Sequence, residues 1–288
     1  MEFKKAVRKQ AKLRLALSGP SGSGKTYGAL LLAKGIGGKT AVIDTERGSA
    51  SLYSHIHEFD ALDLDPPYSP ERFIQAIKMA EKAGYEVLII DSLTHEWSGV
   101  GGCLELVDEI ARSKYKGNTW SAWNDVTPRH RAVLDTILRS PLHIIATMRS
   151  KTETAQTEEN GRKKVVKLGM KAEQRDGAEY EFTTVLDIVH DGNFATPSKD
   201  RTGLFRGDPK PITVETGVML LSWLNSGAEA PTEKTRIEKA EDWIAESPSI
   251  DVAKQRGVKA LEQLQDQDSI DRITAAVQRY EQAAMASA

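Results

Sequence analysis

The sequence predicts an α/β protein: a mostly parallel sheet with helices on both faces, and a small helical appendage at the C-terminus. Three observations carry that expectation. Short apolar runs alternate along the chain with stretches whose apolar residues fall at helical spacing, the pattern of strands joined by crossover helices. The residues Gly19, Pro20, Ser21, Gly22, Ser23, Gly24, Lys25 and Thr26 run directly out of the apolar segment 13–18 into helix-forming sequence. Two later apolar runs, 40–44 and 87–91, each end in aspartate, Asp44 and Asp91.

Taken in order, the segment at 13–18 is the first strand, and the helix after it starts near Lys25. Residues 40–44 read as a second buried strand. Ser69, Pro70 and Glu71 open a helix, with Ser as cap and Pro at the first helical position. Phe73, Ile74, Ile77 and Ala80 keep one face of it apolar, and Gly84 ends it. Residues 87–91 form a third strand, helical patterns follow near 101–113 and 126–139, and 143–147 is a fourth strand. From about 150 to 170 the pattern gives way to charge, Thr, Gln and Gly, the composition of a mobile loop or hairpin. Further strands are expected at 181–189 and 210–214. The domain division is a basic N-terminal arm 1–11, a core 12–224, a linker 225–231 and a helical tail 232–288. The linker is rich in Ser, Gly, Ala and Pro. The tail carries three short amphipathic helices, and in the last of them Ile270, Ile273, Val277 and Tyr280 share a face.

With 40% hydrophobic and 28% charged residues, the chain has the composition of a globular protein. A formal net charge of -2 removes any argument for wholesale attraction to nucleic acid, so such a ligand must meet a local patch. The single cysteine, Cys103, has no internal disulfide partner and fits a reducing compartment as a small buried residue. No apolar run approaches the roughly 18 residues that span a bilayer, and the N-terminus lacks the apolar stretch of a signal peptide. A cytoplasmic location with no membrane partner is expected.

The 19–26 segment is a complete G-x-x-x-x-G-K-[ST] phosphate-binding loop in its required context of strand, loop and helix. Its glycines let successive backbone N–H groups turn toward phosphate oxygens. Lys25 places a point charge at the β- and γ-phosphates, the Thr26 hydroxyl suits Mg²⁺, and the helix dipole adds to the same field. The expected ligand is a nucleoside triphosphate, ATP with Mg²⁺. Asp91, closing the run Val87, Leu88, Ile89 and Ile90, is the natural second acid for the metal. Glu46, just past the second strand, is placed to deprotonate a water in line with the γ-phosphate.

A glutamate after the second strand, rather than beside Asp91 where Ser92 stands, resembles the RecA family of recombinases. The segments 41–53, 87–97, 143–151, 175–182 and 198–203 extend the resemblance over residues 12–215. Within the family the chain is most similar to the RecA-like branch of the phage Sak single-strand annealing proteins. The resemblance implies a RecA-like P-loop NTPase core. It implies that Tyr53 packs against adenine. The Lys199-x-Arg201-x-Gly203 pattern resembles that of RecA-core hexameric helicases, where RecA itself has two lysines, and implies that Lys199 and Arg201 reach across a subunit interface to a neighbour's γ-phosphate. That chemistry requires a homo-oligomer, as a ring or a filament. RecA proteins carry a γ-phosphate-sensing glutamine where this chain has Thr147, and Arg149 is placed to substitute. The basic segment with Lys151, Arg162, Lys163, Lys164, Lys167, Lys171 and Arg175 matches the family's second DNA-binding loop, with Arg149 at its root. A second basic stretch holds Lys114 and Lys116 with Trp120, which could stack on bases. Trp123 is expected to open the core-facing side of the next helix. The implied activity is slow, DNA- and oligomer-dependent ATP hydrolysis by a protein of phage homologous recombination that binds single-stranded DNA and promotes annealing. The acidic tail 232–288 is read as a dock for the host single-strand-binding protein or as a structural cap. A non-catalytic, ATP-bound DNA-binding scaffold and a DNA motor of the helicase kind are the alternatives.

Overall fold

The computed structural model describes residues 5–159, 162–228, 236–261 and 267–286, with the backbone alone over 152–170, 236–238, 267–269 and at 286. The chain divides into two compact units, Met1–Ala228 and Glu229–Ala288.

The first unit is built on one sheet. Its strands are β1 (Arg14–Gly19), β2 (Thr40–Asp44), β3 (Asp60–Asp63), β4 (Val87–Asp91), β5 (His143–Glu159), β6 (Arg162–Ala172), β7 (Thr184–Ile188), β8 (Phe194–Asp200) and β9 (Lys210–Pro211). Their spatial order is β3-β2-β4-β5-β1-β7-β8-β9, with β6 paired to β5 alone. From β3 to β7 every pairing is parallel, and β8 and β9 close the edge antiparallel. Its helices are α1 (Lys25–Ile36), α2 (Pro70–Lys82), α3 (Thr94–Ser98), α4 (Cys103–Lys114), α5 (Thr119–Arg139) and α6 (Val214–Asn225). This is the α/β P-loop NTPase fold.

Alternate strand residues serve opposite faces. Leu88, Ile90, Ile144 and Ala146 pack against Phe73 and Ile77 of α2 and Val133 and Ile137 of α5. On the other face, Val87, Ile89, Leu15 and Leu17 pack against Leu30 and Ala33 of α1 and Leu220 and Leu224 of α6. With both faces covered, the central strands are continuous apolar runs. Arg14 is buried at the lower edge and donates to the carbonyls of Leu13 (2.7 Å), Leu142 (2.6 Å), Leu138 (3.1 Å) and Ser140. That guanidinium satisfies the open carbonyls where α5 ends, and burial pulls its pKa down to about 10.

The register sets up the site. Gly19 stands opposite Arg149 and Asp44 opposite Asp91, so the carboxyl ends of β1, β2, β4 and β5 open onto one crevice, where ligands of open parallel sheets bind.

Several elements differ from the sequence-based expectation. The segment 181–189 yields a strand only from Thr184, because residues 178–181 form a 3₁₀ turn. The strand expected at 210–214 stops at Pro211, and a helix starts at Val214 because Thr213 and Thr216 form a reciprocal cap. The strands β3 and β8 and the helix α6 were not anticipated. Residues 150–159 and 162–172 pair as antiparallel strands, with Lys151 opposite Lys171, Glu158 opposite Lys163 and Glu159 opposite Arg162. Near the N-terminus, Lys9 bridges Ala228 and the Arg8 guanidinium lies 3.9 Å from the Trp223 ring centre.

The described residues of the second unit form three helices, α7 (Arg236–Ala245), α8 (Ile250–Leu261) and α9 (Gln267–Ala286), around Ile244, Ala253, Ile273 and Ala276. Among the described residues no helix is long and apolar enough to cross a membrane.

Candidate functional site

The loop between β1 and α1 is shaped by glycine. Gly22 and Gly24 have φ of 75° and 85°, in the left-handed region that side chains disfavour. A Cβ on Gly19 would stand 2.6 Å from the Ile188 carbonyl oxygen. From the β7–β8 turn, Asn193 Nδ2 donates to the Ser23 carbonyl at 2.8 Å and braces the loop from outside.

Lys25 folds back over this loop, and its Nζ donates to the Pro20 carbonyl at 2.8 Å. Burial lowers its pKa, Asp91 and Glu46 raise it, and Arg149 lowers it again. A lysine so placed gains from any phosphate that shares its site. Asp91 accepts from Thr26 Oγ1 at 2.6 Å and, on its other oxygen, from Thr147 Oγ1. Burial pushes the Asp91 carboxyl above the usual range; the two hydroxyl bonds oppose that, and Glu46 and Asp44 add to it. A divalent cation at this carboxylate offsets the same penalty.

Glu46 is held by the turn it leaves. The Asp44 carboxylate accepts from the N–H groups of Glu46 (2.6 Å) and Ala50 (2.9 Å). Arg149 donates to Glu46 Oε1 through Nη2 at 2.8 Å and Nε at 3.1 Å. Behind them, the Thr45 hydroxyl accepts from Ser92 N at 2.7 Å and shares a 2.6 Å hydrogen bond with His95 Nδ1. The His95 ring stacks on Tyr68, whose hydroxyl donates to the Thr45 carbonyl at 3.1 Å. These bonds tie the ends of β2 and β4 together. Tyr53 meets Tyr27 edge to face at 6.1 Å. Together with the loop, Glu46, Tyr53, Asp91 and Arg149 line one cleft of about 360 Å³.

The structure therefore brings Gly22, Gly24, Lys25, Thr26, Glu46, Tyr53 and Asp91 together. Lys199 and Arg201 are not among the residues lining this cleft. Lys199 Nζ donates to the carbonyls of Glu179 (3.0 Å) and Tyr180, and Arg201 Nη2 to that of Tyr180 at 3.4 Å. Burial first, and Arg201 second, lower the Lys199 pKa. Arg149 sits inside the cleft on Glu46. Lys114 pairs with Asp125 at 2.8 Å, Lys116 occupies the turn before α5, and Trp120 is 85% exposed. Trp123, expected to face the core, is half-buried, packed against the cluster of Cys103, Val107, Ala122 and Val126 and stacked on Trp97. The side chains of Arg162, Lys163, Lys164 and Lys167 lie outside the described residues. Sequence reasoning missed Asn193 and His95, which reach the loop or Thr45 only through the fold, and Tyr27, which follows the loop directly but meets Tyr53 only in the folded chain.

The donor set fits a nucleoside triphosphate with Mg²⁺. Thr26 and Asp91 are hard oxygen donors within 2.6 Å of one another, beside a buried ammonium and a helix N-terminus. A family model described as an AAA domain matches residues 11–212, nearly the whole first unit. No curated protein matches the chain.

Proposed function

Because the chain belongs to the AAA-domain family, a family of nucleotide-binding P-loop ATPases, we propose that it hydrolyses ATP in response to single-stranded DNA. The role we assign it is strand annealing in phage recombination, following its resemblance to the Sak proteins. The observation that supports hydrolysis is the convergence of Glu46 with Lys25 and Asp91 at the ends of β2, β1 and β4. Glu46 takes the proton from a water attacking the γ-phosphorus as the bond to the bridging oxygen of the β-phosphate breaks. Lys25 neutralises charge on the phosphate oxygens. Mg²⁺ held at Thr26 and Asp91 supplies further positive charge there.

Glu46 is committed to Arg149 in this structure, and Thr147 to Asp91. Arg149 is therefore the group on β5 that takes the part of a γ-phosphate sensor: an incoming phosphate competes for it and releases Glu46. Lys199 and Arg201 lie away from their own cleft and act on a neighbour's nucleotide, which makes the active species an oligomer. The helical unit 229–288 serves as a dock for a host single-strand-binding protein, and the protein works in the cytoplasm. An ATP-bound scaffold without turnover is the second reading, and the Glu46–Arg149 ion pair is the observation that favours it.

Steady-state ATP hydrolysis with and without single-stranded DNA, at low and moderate salt, separates the two. Strong stimulation that fades as salt rises supports the recombination ATPase. ATP binding with no stimulation by DNA supports the scaffold.

A further inference from the structure

Outside the nucleotide cleft, the α5 surface carries a second concavity, of about 540 Å³, with Trp97, Trp120, Trp123, Asn124, Arg131 and Arg175 in its walls. Three of the five tryptophans in the chain meet here. Trp120, Asn124, Thr127 and Arg131 follow one another at spacings of four, three and four along one face of α5. The Trp97 and Trp123 rings are stacked, 5.4 Å apart and inclined by 21°. The Arg175 guanidinium lies 5.4 Å from the Trp123 ring centre, and its Nη1 donates to Thr127 Oγ1 at 3.0 Å. Trp120 stands 85% exposed at the open end.

We propose that this groove binds single-stranded nucleic acid, stacking a base on Trp120 and holding phosphates with Arg131 and Arg175. The inference rests on the DNA-dependent reading above and gives it a place on the molecule. The composition of the walls selects the ligand. Among the described residues no carboxylate and no Leu, Ile, Val or Met side chain lines the groove. A surface of aromatic faces interleaved with guanidinium groups suits a ligand that is itself both aromatic and anionic. Trp and Arg also anchor protein interfaces; what favours a polyanion here is the positive charge of Arg131 and Arg175 with no carboxylate among the described lining residues.

The platform is also pre-organised, which lowers the ordering cost of binding. Beneath it, Glu96 and His130 are both buried, and the Glu96 carboxylate lies 3.0 Å from His130 Nδ1. This contact fastens α3 to α5, and the Trp97 ring rests edge-on against His130 at 5.5 Å.

The test is fluorescence anisotropy of a labelled oligo(dT) and of an abasic oligomer of equal length, with the full chain and with Trp120→Ala and Arg131→Ala. Trp120 is exposed, so its removal leaves the fold in place. Trp120→Ala is expected to weaken oligo(dT) binding about tenfold and leave the abasic oligomer nearly unaffected, since a base on an aromatic ring loses only its stack. Arg131→Ala is expected to weaken both oligomers and to reduce the slope of affinity against salt by about one phosphate. Oligo(dT), and not the abasic oligomer, should quench the intrinsic tryptophan fluorescence. Equal oligo(dT) affinity in the parent chain and Trp120→Ala overturns this inference alone, and leaves the groove to a protein partner. If the parent chain binds neither oligomer, the DNA-dependent reading falls with it.

Discussion

At the scale of single residues, the site is a set of polar groups, Lys25 and Asp91 buried and Glu46 half-buried, each held by another. Lys25 rests on the Pro20 carbonyl, Asp91 on two hydroxyls and Glu46 on Arg149. Lys25, Thr26 and Asp91 were legible in the sequence because their roles follow from spacing along the chain. Asn193 and His95 were not, since nothing local to either residue relates it to the loop or to Thr45. His143 shows what burial does to a titratable group with no anionic partner among the described residues. Leu13 N donates to its Nδ1 at 3.2 Å, and Lys12 and Arg14 stand near. Burial first, then those two cations, lower its pKa from 6.5 to about 4. The unfolded chain therefore binds more protons between these values. The stability from a neutral His143 is fully present above pH 6.5 and is lost as pH falls through about 4. Up to roughly 3 kcal/mol is at stake. Denaturant titrations across this window should show a shallower acid loss in His143→Gln than in the parent chain. Parallel profiles would mean that the ring is not held neutral.

At the scale of elements, α1 and α6 pack with their backbones unusually close. A Cβ on Gly35 would stand 2.1 Å from the Val214 carbonyl oxygen and 2.8 Å from Gly217 Cα. Neither neighbour is a side chain that can swing aside. Gly35→Ala is therefore expected to destabilise the first unit by about 2 kcal/mol, lowering its thermal midpoint by several degrees. An unchanged midpoint would show that the helices separate freely. Which elements were legible follows from burial. The strands at 40–44 and 87–91 are buried on both faces and announced themselves as apolar runs. β3 is exposed along its whole length, so Asp60, Ala61, Leu62 and Asp63 carry no pattern to read. α6 was hidden by its own entry, because Ile212, Thr213 and Val214 are β-branched and read as strand until the cap at Thr213 is seen.

At the scale of the whole molecule, one parallel sheet aligns four strand ends on the nucleotide cleft, while the tryptophan groove lies on the helical layer that follows Asp91. The P-loop and the alternation of strands and helices were enough to expect this architecture, and the family match over residues 11–212 agrees with it. What the sequence could not reveal is which exposed aromatic and basic residues gather on one surface, because Trp97, Trp120 and Arg175 are far apart in the chain. The central claim is that the Lys25 cleft is a catalytic ATPase centre with Glu46 as its base. Its most direct test is ATP turnover by the full chain and by Glu46→Gln, with ATP binding measured on both. The account expects equal binding and a fall in turnover of about a hundredfold or more. Turnover in Glu46→Gln equal to that of the parent chain would contradict it.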